Sequence, residues 1–137
     1  MSYLATYGTL MREHAMHEQL GLTGRLRFEV DCQIPGVLYD LGRFPGALSP
    51  ETAPEEALET VGDEPVVHGE MFRLADPEVL AVLDRYEGYD PDRESASLFV
   101  RREVTLQAPE GRTAWVYWYN GPPADGTLVP SGHWRPD

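Results

Sequence analysis

Apolar and polar residues alternate with a period of two along most of this chain, the repeat of a strand with one face buried. In GRLRFEVDCQI, Gly24 to Ile34, the apolar positions Leu26, Phe28 and Val30 alternate with Arg25, Arg27 and Glu29. YLATYG, GVLYDLG, VVHGEMFRL, LFVRREVTLQA and TAWVYWYN predict further strands. GVLYDLG follows the first run within a few residues and is expected to pair with it. PEGR, Pro109 to Arg112, fits a hairpin turn between the last two. The period becomes helical in two places. A weak helix is predicted from about Arg12 to Leu20, ending near Gly21. The stronger one is DPEVLAVLDRYEG, where Val79, Leu80, Val82, Leu83 and Tyr86 trace one apolar face. Asp76 suits its N-cap, Pro77 its first position and Glu78 its positive end, and Gly88 is placed to stop it as a left-handed cap. These elements predict an α+β fold, mostly antiparallel and curled into a small barrel, with one or two flanking helices.

Two stretches interrupt the pattern. Phe44 to Pro65, rich in Pro, Ala and Glu, is expected to be an exposed loop with one helical turn at Pro54 to Thr60. Gly88 to Ser97 is polar and contains Pro, and is expected to be a second loop. Neither is long enough to separate two cores, and no repeat of solenoid period occurs. At 137 residues the chain has the size of one domain, so residues 1–137 are expected to form a single unit. A chain of that length buries roughly two-thirds of its unfolded surface without a disulfide or structural metal.

Charge narrows the functional classes. The eleven basic residues, all Arg, face 23 acidic ones for a net charge of −12. Such a surface repels phosphate backbones, and Arg101-Arg102 is the only adjacent basic pair, so no nucleic-acid partner is expected. There is no leader-like amino terminus and no long apolar span, so the expectation is a soluble cytoplasmic protein without a membrane partner. Nothing in the sequence speaks to oligomeric state.

Glu87 stands in the last turn of the stronger helix, where a carboxylate opposes the negative end of the helix dipole. That field and any burial both favour the protonated form, and an upward-tuned carboxyl suits a general base working near neutral pH. The plain alternative is a solvated glutamate. YGTL, Tyr7 to Leu10, ends the first predicted strand. Gly8 lets backbone approach a ligand, and the amides of Thr9 and Leu10 would form a small anion-binding nest if a helix follows. Taken alone, that tetrapeptide is equally an ordinary glycine turn.

In combination these segments carry more. YGTL after the first strand, then PGVLYDLGRFPG, HGEMFRL, LDRYEGY, FVRREV, AWVYWYN and the closing VPSGHW follow one another in an order and spacing that resemble the γ-glutamylcyclotransferase-like family, over nearly the whole chain. The resemblance implies a small mixed barrel with flanking helices. It implies cleavage of a γ-glutamyl amide, either a γ-glutamyl amine or a γ-glutamyl amino acid, by intramolecular cyclisation to 5-oxoproline and free amine. Glu87 matches the family's catalytic glutamate, as general base and then acid. Tyr7, Gly8, Thr9 and Leu10 match its substrate-binding loop, and Tyr117 resembles a pocket tyrosine, with a core aromatic as the plain alternative. The chain departs from the family twice: no Gly follows YGTL closely, and His133 replaces the usual acid in the closing motif. No motif implies a cofactor.

Other chemistries find less support. His14, His17 and Glu18 lie near one helical face, but a zinc site needs at least a third firm ligand, and His68 and His133 are remote in sequence. Cys32 lies within a strand pattern, where a lone Cys is usually a small buried hydrophobe. There is no nucleophile elbow and no phosphate-binding glycine loop. The competing class is a non-catalytic ligand-binding or interaction module on the same fold. Retention of Glu87 with Leu83, Asp84 and Gly88 around it favours the enzyme. A lyase removing a γ-glutamyl protecting group from a biosynthetic intermediate would share the same chemistry, and deletion of residues 44–65 is expected to separate amine selection from catalysis.

Overall fold

A computed structural model describes residues 2–8, 10–11 and 16–134. In chain order the elements are β1 (Tyr3–Thr6), α1 (Met16–Gln19), β2 (Leu26–Pro35), β3 (Val37–Asp40), β4 (Pro45–Leu48), α2 (Glu55–Val61), β5 (Val66–Leu74), α3 (Glu78–Glu87), β6 (Phe99–Thr105), β7 (Thr113–Tyr119) and β8 (Thr127–Val129), with short 3-10 turns at Glu94–Ala96 and Pro123–Asp125. The strands form two sheets, ordered β2-β5-β1-β7-β6 and β4-β3-β8. All neighbours are antiparallel except β1 and β7, which meet in parallel at Leu4 and Trp115. The predicted α+β class and antiparallel character hold, but the sheets do not close into a barrel.

GVLYDLG does not pair with β2. Its strand β3 joins β4 and β8 in the smaller sheet, while β2 pairs with β5. The alternation predicted for β2 also breaks. A register shift between Phe28 and Val30 sets Phe28 opposite Phe72 and Val30 opposite Met71. Phe72 and Met71 are neighbours in β5 and point to opposite faces, so the bulge transfers the apolar set of β2 from one face of the sheet to the other. Leu26 packs into one core with Phe72 and Leu74, whereas Cys32 and Ile34 pack into a second with Val67 and Met71. Phe28 and Val30, at the crossover, stay 37% and 39% exposed rather than buried.

The segment expected as an exposed loop from Phe44 to Pro65 carries a buried strand, β4, while the helical turn expected at Pro54 to Thr60 forms as the seven-residue helix α2. Gly46 explains why β4 fits: a Cβ there would lie 2.8 Å from Tyr119 Cβ. From Gly88 to Ser97 the chain has the expected irregular path, held by Ser97 Oγ, which donates to the Arg93 carbonyl at 3.0 Å, and by Asn120 Nδ2 on the carbonyls of Glu94 and Ser97.

Helix α3 forms where its apolar spacing places it but starts one residue later than expected, with Pro77 (φ −69°, ψ −17°) in the cap position before Glu78. Val79 and Leu83 are fully buried. The Asp76 carboxyl is held low by hydrogen bonds from Arg25, aided by the amides of Glu78 and Val79. At the other end Gly88 adopts φ 69°, ψ 36°, a left-handed cap open to glycine without strain. The Tyr89 amide donates to the Asp84 carbonyl at 2.8 Å and ends the helix. No helix among the described residues is long and apolar enough to cross a membrane.

Candidate active site

The carboxyl end of α3 meets the end of β1, the start of β4, the start of β6 and the middle of β7 around a cavity of about 200 Å³. Ala5, Thr6, Tyr7 and Gly8 form one wall; Tyr117 and Phe99, both buried, form another; Glu87 projects from α3. Of the lining residues Phe44, Tyr86, Glu87 and Leu98 keep solvent exposure, Leu98 the most at 47%, so the three apolar ones form a collar on the solvent side of the cavity. The absence of a side chain at Gly8 answers first to packing, since a Cβ would lie 2.7 Å from Pro45 Cγ.

Glu87 has no hydrogen-bond or ion-pair partner for its carboxyl among the described residues. Burial pushes it up to about 8. Exclusion of water from the carboxyl disfavours its charged form, the same direction as the field at the helix end. Some surface remains accessible through the mouth, but the carboxyl itself is surrounded by protein. A buried group of this kind ordinarily has partners, which makes this cavity the candidate ligand site.

The groups beside it are, by contrast, fully engaged. The Tyr7 hydroxyl donates to the Tyr117 carbonyl at 2.6 Å and accepts the Ala47 amide at 3.1 Å. It therefore ties β1 to both sheets, and burial raises its pKa with a further contribution from Glu87. The ring of Tyr7 lines the cavity while its hydroxyl is spent on the frame. Tyr117 donates its hydroxyl proton to Asp84 Oδ1 at 2.6 Å, and burial first, then Asp84, raises its pKa. Asp84 is in turn gripped by Arg101, Nε to Oδ1 at 2.8 Å and Nη2 to Oδ2 at 3.2 Å, with both side chains mostly buried. The Arg101 guanidinium lies 4.4 Å from the Trp115 ring centre and 5.7 Å from that of Tyr89.

Of the residues singled out by the sequence, Glu87, Tyr7, Gly8 and Tyr117 are brought together here. Leu10 is 1% exposed and its side chain packs in the core beside α1, outside the cavity. Thr9 and His14 lie outside the described residues. His17 hydrogen-bonds the Leu10 carbonyl and stacks edge-on against Phe72. His68 and His133, remote in sequence, lie face to face with ring centres 3.8 Å apart. Among the described residues no group of three or more His, Cys, Asp or Glu is placed to hold a metal. Cys32 is buried, and burial pushes its thiol up to about 12, so it is a poor nucleophile. Trp115, Trp118 and Trp134 do not line the Glu87 cavity. The residues that sequence reasoning left without a role are Asp84, which it named only as a neighbour of Glu87, Arg101 and the collar.

A larger, open groove of about 800 Å³ runs beside β6, lined by Val100, Arg102 and Trp118 among others. Its one perturbed acid, Glu94, is held down to about 2 by Arg102 and Tyr89. That acid is already satisfied, in contrast to Glu87 in the smaller cavity.

A two-sheet α+β frame with a lone enclosed carboxylate beside the glycine turn of its first strand defines a class. Residues 4–136 match the family described as "Gamma-glutamyl cyclotransferase, AIG2-like", and the chain belongs to that family. It is 34% identical over 97 residues to the "Gamma-glutamylcyclotransferase family protein ytfP" of Citrobacter rodentium (strain ICC168), a match covering 71% of this chain and 65% of that protein's length. Among solved structures it resembles protein ytfP from Escherichia coli, with a TM-score of 0.64 and 27% identity over 96% of this chain and 95% of that one. An AIG2-like protein from Mus musculus shares the fold, with a TM-score of 0.63 and 18% identity over 90% of this chain and 81% of that one.

Proposed function

We propose that this protein is a γ-glutamylcyclotransferase-type enzyme that converts a γ-glutamyl amide to 5-oxoproline and a free amine. The observation that carries the reading is Glu87: a carboxyl without a partner among the described residues, enclosed, raised to about 8, and sharing the cavity with Gly8 after β1. A cavity of about 200 Å³ is smaller than the ~300–1,000 Å³ of sites for drug-sized ligands. It suits a glutamyl head group, with the leaving amine lying outward against Phe44, Tyr86 and Leu98.

The reaction needs one proton handled twice. The substrate's α-amine nitrogen attacks its own γ-carbonyl carbon, forming the ring C–N bond, while Glu87 takes a proton from that nitrogen. The tetrahedral intermediate collapses with cleavage of the original amide C–N bond, and Glu87 returns the proton to the departing amine. No water is consumed. Because nucleophile and electrophile belong to one molecule, the site's main task is to fold the glutamyl chain into a near-attack conformer. The turn after Tyr7 is the candidate to hold the glutamyl carboxylate or the developing oxyanion through its amides.

Small γ-glutamyl amines and γ-glutamyl amino acids, incubated with the wild type and with Glu87→Gln, test this by mass-spectrometric measurement of 5-oxoproline. Product from the wild type alone is expected. Equal turnover by Glu87→Gln would remove the base, and no product from either protein across the panel would favour a binding module on the same frame.

A further inference from the structure

The mechanism above uses Glu87 and leaves the network behind it without a purpose. Asp84 lies three residues before Glu87 on α3, so the two carboxylates share a helix face. Asp84 does not line the cavity, yet Tyr117, which does, gives it the only proton its hydroxyl has. A phenol carries one donor and two acceptor sites. With the donor spent on Asp84, the Tyr117 oxygen offers a ligand lone pairs alone.

We propose that the Arg101–Asp84 pair is the positioning device of this site, fixing the Tyr117 hydroxyl proton away from the cavity so that its oxygen serves as an acceptor for the substrate's α-amine beside Glu87. The inference rests on the cyclotransferase reading for the identity of the group that meets Tyr117. An α-ammonium carries three N–H donors and no acceptor, which matches an acceptor-only tyrosine next to a carboxylate. No cationic side chain lines the cavity among the described residues, so nothing there competes with the incoming charge.

Arg101 makes the arrangement unique. Its planar fork takes both Asp84 oxygens, and Nε shares Oδ1 with the Tyr117 hydroxyl. The guanidinium is held from the side by the rings of Trp115 and Tyr89. A lysine would keep the charge and lose the fork. The chain of contacts continues outward, since the Tyr89 hydroxyl donates to Glu94, which Arg102 clamps through both oxygens. Arg101 and Asp84 balance each other's charge, so the tyrosine is oriented without adding a net anion next to Glu87.

The test is a double-mutant cycle. In a Glu87→Gln background, affinity for γ-glutamyl methylamide is measured by calorimetry with and without Tyr117→Phe, and with and without the pair removal Asp84→Ala plus Arg101→Met. Removing both charges together leaves neither one buried and unpaired. Tyr117→Phe is expected to weaken binding about tenfold, ~1.4 kcal/mol, and the pair removal about three- to fivefold. Added to Tyr117→Phe, the pair removal should change affinity by less than twofold, because it acts through that hydroxyl. Equal weakening in both backgrounds, or none with Tyr117 present, overturns the positioning role. If the pair removal does not fold, Asp84→Asn serves in its place, since its amide nitrogen can turn toward Tyr117 and should weaken binding only where the hydroxyl exists. Release of 5-oxoproline by the wild type is scored separately. No turnover with a coupled binding cycle removes the reaction and keeps the device, turnover with an additive cycle does the reverse, and no binding in any background overturns both.

Discussion

Two carboxylates one turn apart on α3 live in opposite circumstances. Asp84 accepts three hydrogen bonds, two from Arg101 and one from Tyr117. Glu87 accepts none among the described residues, and burial alone lifts it to about 8. The same helix therefore supplies one acid to the frame and one to the cavity. If the proposed reaction holds, stability and chemistry are separable at this site: engaged groups hold the fold, and the carboxyl without a partner among the described residues is the one that reacts. Substitutions that exchange these roles test the contrast directly.

The largest effect is expected from Glu87→Gln. Loss of the base should lower turnover by roughly 10²–10⁴-fold, measured as 5-oxoproline release. The same change should not harm the fold. The folded carboxyl titrates near 8 against an ordinary 4.5, so between those values the native state holds a proton that the unfolded chain has released. Stability then falls as pH rises through this window, by an amount on the order of a few kcal/mol. Denaturant titrations at pH 5 and pH 9 should show Glu87→Gln gaining on the wild type at the higher pH. A wild type whose stability rises across that interval, with Glu87→Gln parallel to it, would mean that Glu87 is solvated.

Arg101→Met is the converse. It leaves Asp84 mostly buried beside Tyr117 with no cation, a change expected to cost about 3 kcal/mol and to lower the melting temperature on the order of 10 °C. A melting temperature within a degree or two of the wild type would show that the pair contributes nothing to the frame.

How far these roles could be read in advance depends on range. The α3 helix, with Asp76 at its start and Gly88 at its end, was legible because apolar spacing and caps are local. The place of Glu87 at the helix end is local too, whereas its enclosure depends on residues distant in sequence. The Arg101–Tyr117 neighbourhood was not legible. PEGR does make a tight turn, with the Arg112 amide on the Pro109 carbonyl at 3.2 Å, but the ladder resumes only at Leu106 and Arg112. That wider loop pairs Arg101 with Tyr117, whereas a ladder closed at Pro109 and Arg112 would have set Arg101 opposite Asn120. The β2 bulge hid in the same way: Leu26 to Ile34 alternates perfectly in sequence, and only the pairing with β5 reveals that the alternation changes face. Strand β4 has no β-branched or aromatic residue to announce it, only Pro, Gly, Ala and Leu. Since Phe44 and Pro45 wall the cavity, deletion of residues 44–65 would remove part of the site along with any amine selection.

The pH dependence of kcat/KM sharpens the contrast by a smaller factor. In the proposed reaction the reactive complex holds one proton between Glu87 and the substrate amine, whichever of them carries it at a given moment. The substrate's α-amine stands beside its own carboxylate and is more basic than the ~8 of a chain-terminal amine. With Glu87 near 8, activity should peak above pH 8, between the two, and fall about tenfold per unit well outside them on either side. A plateau from pH 5 to 7 would place the carboxyl back in its ordinary range and make Glu87 as well solvated as a surface acid.

The smallest effect concerns the residue that opens YGTL. The resemblance makes Tyr7 a substrate contact, yet its hydroxyl already donates to the Tyr117 carbonyl and accepts the Ala47 amide. Both of those backbone groups are in strands, one in each sheet, so the hydroxyl acts as a strut between them. Tyr7→Phe keeps the ring against the cavity and orphans one buried donor and one buried acceptor, a loss of about 1–3 kcal/mol that a denaturant titration resolves. If the melting behaviour is unchanged and KM for the γ-glutamyl amide rises, the hydroxyl faces the substrate and Tyr7 belongs with Glu87. If stability falls by the expected amount, Tyr7 belongs with Asp84, among the groups whose polar capacity is already spent. The turn's contribution to binding would then come from its backbone and from the tyrosine ring.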